Sequence, residues 1–103
     1  MDELSRVAAW KVVDDLVTRV YRASGEVTDV ATRDLMREAT LSLGPMLPLS
    51  VLLRRMEVVA ALLVTAAHTG ALAEPTARAL IEAVAAGADS LRRLEPAGAA
   101  STA

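Results

Sequence analysis

Ten of the eleven basic residues of this 103-residue chain are arginines, and they include two adjacent pairs, Arg54-Arg55 and Arg92-Arg93. Paired guanidinium groups can grip phosphate through forked hydrogen bonds. If the chain assembles into a closed ring, each pair repeats around it and builds a multivalent basic surface. The net charge of −2 would hide such a surface. The plainer alternative is that both pairs are solubilising charges at helix ends, where exposed ion pairs contribute little. Arg54, Arg55, Arg92 and Arg93 are therefore the candidate contacts for nucleic acid or a partner.

Other chemistry finds little to stand on. His68 is the sole histidine and there is no cysteine, so no second soft or imidazole ligand could complete a metal site. Ser42, Ser50 and Ser90 could each be drawn into a triad with His68, but none is flanked by the glycines of a nucleophile elbow. The segments GEVTDV and GPMLP lack the spacing and the lysine of a phosphate-binding loop. No cofactor is expected, and the chain is read as non-enzymatic. Trp10 and Tyr21 stand eleven residues apart, about three helical turns, on roughly one side of the first predicted helix. Such a pair could stack on bases, but Val neighbours and few bases around it favour an anchor at a helix interface.

The elements that must hold these residues are helical. Hydrophobic residues make up 53% of the chain, yet Phe is absent and Trp and Tyr occur once each, so the core is built of Leu, Val and Ala. Val12, Val13 and Val20 recur at helical spacing with charges between, where a strand would alternate strictly. A chain of this size supports one core, so residues 1–94 form one domain and the unpatterned tail 95–103, EPAGAASTA, is expected to be disordered.

Helix one is predicted from Asp2 to Ala23 and is closed by Ser24-Gly25, with Ala9, Val12, Val13, Leu16, Val17 and Val20 inward. Helix two follows an N-cap at Thr28 or Asp29. It carries Ala31, Leu35, Met36, Ala39 and Leu43 inward and Arg33, Asp34, Arg37 and Glu38 outward, until Gly44-Pro45 ends or kinks it. Helix three is framed by Pro48 and Gly70, and helix four runs from Pro75 to Leu94 with Leu80, Val84, Leu91 and Leu94 as its seam. Gly87 lies within that seam and costs about 1 kcal/mol relative to Ala, which a closely crossing neighbour would offset.

Helix three organises the rest. From Val58 to Ala67 it has no charge, and Thr65 is its one polar side chain there. A helix apolar on nearly every face must be surrounded. Arg54, Arg55 and Glu57 interrupt it too early for a membrane span, which needs about 20 apolar residues. The expectation is an antiparallel up-down-up-down four-helix bundle whose third helix meets another subunit through Val58, Val59, Leu62 and Leu63.

The order of landmarks carries a resemblance. LSRVAAWKVVDDLVTRVYRAS leads to LMREATLSLGPMLP, then to a long apolar helix closing on HTGAL, then to a helix ending LRRL. This resembles the small four-helix bundle proteins of the 23S rRNA intervening-sequence type, whose fold is shared by the accessory proteins of diversity-generating retroelements. The matching positions are Trp10, Val20 and Tyr21; Leu35, Arg37, Ala39, Ser42 and Pro45; and Gly70 with Leu72. The chain departs from the family after Pro45, where MLPLS replaces an Asn-Ile-Ala-Glu-Gly run, and in its near-neutral charge. The resemblance implies a pentameric ring of bundles, and its retroelement branch implies binding of structured RNA and a reverse transcriptase through a charged surface.

The function expected on these grounds is that of a non-catalytic, homo-oligomeric accessory scaffold for a reverse transcriptase-like enzyme, a structured RNA, or both. The alternative is a protein-only adaptor whose apolar third helix docks a partner helix. The acidic start, MDELSR, is no secretory signal, and the lack of cysteine suits a reducing cytoplasm.

Overall fold

A computed structural model describes residues 3–44 and 46–94. The expected disorder of 95–103 and the bend at Pro45 itself lie outside the described residues. Four helices make up the fold: α1 Glu3–Ser24, α2 Val30–Leu41, α3 Leu49–His68 and α4 Glu74–Arg93. There is no strand among the described residues.

Each boundary has a local cause. After α1 the chain turns through hydrogen bonds from the Gly25 N–H to Arg22 O and from the Glu26 N–H to Ala23 O. Asp29 is the N-cap of α2, its carboxylate accepting from the Thr32 N–H at 2.9 Å and from the Thr32 hydroxyl at 2.5 Å. Pro48 precedes α3 with its carbonyl taking the first helical hydrogen bond, from Leu52. At the far end of α3, Gly70 has φ +79°, the only positive value among the described residues. That left-handed residue lets the Gly70 and Leu72 amides return to the carbonyls of Ala67 and Ala66. Pro75 sits in the first turn of α4, where its missing amide is no loss.

The helices close a square. α1 packs on α2, α2 on α3, α3 on α4 and α4 back on α1, while the backbones across each diagonal stay apart. Heptad-like steps line the centre: Ala9, Val13, Leu16 and Val20 from α1, then Leu52, Met56, Val59, Leu63 and Ala66 from α3. α4 adds Ala77, Leu80, Val84 and Leu91. Gly87 is buried because a Cβ there would stand 2.7 Å from Leu16 Cδ1 and 3.3 Å from Val12 Cγ1. The expected close crossing is thus made by α1.

Three expectations about faces are corrected. Leu35 is exposed, at 54%, and Ala31 is exposed with it; the interior residues of α2 are Met36 and Thr40, with Leu43 buried just beyond the helix. Thr40 can sit inside because its hydroxyl donates to Met36 O at 2.5 Å, so no polar atom is stranded. Arg37 is not a simple solvent residue: its Nε donates to the buried Ser24 Oγ at 2.8 Å, which fixes the roll of α2 against α1. Finally, Val59 and Leu63 are 2% and 0% exposed within the chain's own core, so they do not face another subunit. One helix cannot offer neighbouring residues such as 58 and 59 to the same side.

Candidate interaction surfaces

The arginines expected to make contacts gather at one end of the bundle but divide into two kinds. Arg92 of α4 shares a hollow with Leu53 and Glu57 of α3. Arg54 and Arg93 are exposed there. Arg92 pairs with Asp89 at 3.1 Å. Arg55 is turned inward across the surface: its Nη1 donates to Ser42 O at 2.8 Å and ties α3 to the C-cap of α2. Arg55 therefore has a structural task, and Arg54, Arg92 and Arg93 form the basic end.

Ser42 and His68 are set apart by the same geometry. Arg55 reaches Ser42, and thirteen residues of helix carry His68 about 20 Å further along α3. Ser42 Oγ is itself engaged with Ala39 O. His68 lies instead with Glu74, Arg78 and Glu82 on the α3–α4 side. Among the described residues no group of three His, Cys, Asp or Glu is placed to hold a metal ion, and no helix is long and apolar enough to cross a membrane.

The apolar back of α3 is divided by the fold. Val58 is 50% exposed and Leu62 half-buried on the flank turned to α2, whereas Val64, 54% exposed, lies on the flank turned to α4. Between them Ala61 is exposed. Of the four residues expected at a subunit interface, Val58 and Leu62 remain available.

A second apolar area lies on α1. Trp10 is 53% exposed, and Leu4 and Val7 before it are exposed as well. Tyr21, eleven residues on, has the Arg37 guanidinium 4.9 Å from its ring centroid. Val17, Tyr21, Arg22 and Leu41 line a shallow trough between α1 and α2. The sequence pointed to the aromatic pair but not to the Arg37–Ser24–Tyr21 cluster that braces one member of it. A serine at a helix end thirteen residues before an arginine is a signal visible only once the two helices are known to touch.

One acidic group has a shifted titration. The hydrogen bonds from the Thr32 hydroxyl and amide hold the Asp29 carboxyl below the ordinary value of 3.8.

Comparison with protein-family models, with curated proteins and with solved structures finds no match to this chain.

Proposed function

We propose that this chain is a non-catalytic bundle, its successive helices running antiparallel, whose copies associate through the back of α3. In this reading the copies form a ring that serves a nucleic-acid enzyme or a structured RNA as an accessory scaffold in a reducing cytoplasm. The observation that carries the assembly is the uncharged run from Val58 to Ala67, which leaves Val58, Ala61 and part of Leu62 on the outside. Contiguous apolar surface of this kind marks interaction sites. Light scattering on the purified chain tests it. A multiple of the 10.8 kDa chain mass is expected, reduced to one chain by Val58→Asp; a single-chain mass at high concentration overturns the assembly.

The nucleic-acid part rests on the gathering of Arg54, Arg92 and Arg93 at one end. Electrophoretic shift of a labelled structured RNA should weaken with salt and with the Arg54→Glu, Arg93→Glu double variant. Binding that is absent at low salt, or indifferent to that variant, removes the RNA role.

A further inference from the structure

α3 and α4 leave a furrow between their outer sides because the residues facing it are small. Ala60 and Ala67 from α3 oppose Ala77, Ala85 and Ala88 from α4. The furrow holds two hollows, of about 540 and 250 Å³, that meet at Ile81. It runs from Leu53 beside Arg92 to His68 beside Glu74. Those sixteen residues of α3 measure about 22 Å, four turns of helix. Leu53, Met56 and Val64 from α3 and Ile81 and Val84 from α4 give the lining its larger apolar side chains.

The rim leans acidic. Glu57, Glu74, Glu82 and Asp89 line the furrow against Arg78 and Arg92, leaving two negative charges with His68 neutral. Both arginines are already committed, Arg78 to Glu74 at 2.6 Å and Arg92 to Asp89 at 3.1 Å. The excess therefore sits at Glu82, near the middle, and at Glu57, one turn in from the Leu53 end. Arg54 and Arg93 stand outside this lining, at the Arg92 end.

We infer that the α3–α4 furrow is a docking groove for a basic amphipathic helix of a partner protein. That helix would be about four turns long, with an apolar stripe on the Ile81 floor and lysines or arginines beside Glu57 and Glu82. Charge selects this occupant over a second copy of the chain. Groove against groove would bring acidic rims together. The outer stripe of α1, with Val7, Trp10 and Tyr21, has Lys11 and Arg22 only at its edges and Glu3 and Asp14 within its seam, so it would set two carboxylates on the apolar floor. The groove uses the opposite flank of α3 from Val58 and Leu62, so it stands whether or not copies associate.

The test uses the full chain and two synthetic helices of about 16 residues that share one leucine stripe, flanked by lysines in one and glutamates in the other. Titration calorimetry is expected to give one site per chain for the lysine helix and at least about tenfold weaker binding for the glutamate helix. Ala85→Arg, which fills the groove from an exposed helical position, should weaken the lysine helix by about tenfold or more, and Glu82→Lys should weaken it also. Glu38→Lys, an exposed carboxylate on α2, should leave it unchanged. Amide shift mapping on the unsubstituted protein should centre on Ile81 and Ala85, which keeps the result independent of how Ala85→Arg folds. Equal binding of the two helices, equal effects of Glu38→Lys and Glu82→Lys, or shifts centred elsewhere would overturn the assignment. So would a self-associated species that Ala85→Arg dissociates, because the occupant would then be a second copy.

Discussion

Replacing Gly87 by alanine sets two effects of opposite sign against each other. Removing a glycine from the interior of a helix gains about 1 kcal/mol. The new Cβ would lie 2.7 Å from Leu16 Cδ1, 3.3 Å from Val12 Cγ1 and 3.5 Å from Met56 Cε. The Leu16 methyl is the end of a flexible side chain, but Leu16 is 3% exposed and enclosed by the core, so its displacement is an overpacking cost of about 1–3 kcal/mol. The expected outcome is a net loss of about 1 kcal/mol, or roughly 4–8 °C in Tm for a domain near this size. Urea unfolding with an unchanged m-value would read it. The Leu16→Ala background makes the reasoning strict. There the obstruction is gone, a cavity costing about 2–5 kcal/mol has opened, and Gly87→Ala should become stabilising. If Gly87→Ala alone stabilises the protein by the full propensity gain, α1 does not cross α4 at this point and the packing of the bundle's middle is wrong.

Three further outcomes follow from the same structure. Leu63→Ala should cost about 2–5 kcal/mol by chemical denaturation, while Val58→Ala, earlier on the same helix and on the outside, stays within about 0.5 kcal/mol for the single chain. Arg37→Met should destabilise by about 1–2 kcal/mol through the lost Ser24 hydrogen bond and Tyr21 contact, and Arg37→Lys should restore little of it, because a lysine lacks the planar fork. For Asp29, the lowered folded value means that its stabilisation is complete above the ordinary carboxylate value of 3.8 and is lost as pH falls through the folded value. The Tm deficit of Asp29→Ala should therefore be present near neutrality and close in acid; a deficit independent of pH would mean that the cap does not act through the carboxylate.

The helix boundaries were legible because their punctuation is chemical: Pro48 and Pro75 lack an amide and fix φ, and Gly70 takes the left-handed state it was expected to supply, whereas Gly25 follows α1 without a positive φ. The roll of α2 was less legible. Thr40 reads as polar, yet its i−4 hydrogen bond makes it an interior residue, and Leu35 reads as core yet lies outside. On α3 the difficulty was uniformity, since Val58 and Val59, or Leu62 and Leu63, differ in no intrinsic property that would tell inside from outside. Only the positions of α2 and α4 decide that. The furrow beside α4 was invisible for a related reason: it arises from small residues on two helices, and neither run of alanines indicates by itself what it faces.

The hydrogen bond from the Thr28 amide to Ala71 O joins the turn between α1 and α2 to the turn between α3 and α4. These two turns are therefore stitched together by main chain. α2 and α3 are joined by the covalent link through residues 42–48, reinforced by the Arg55 clasp on Ser42. A chain cut within that link would keep a ready seam along which its halves could rejoin, so this stretch is the natural place to divide the protein into complementing fragments.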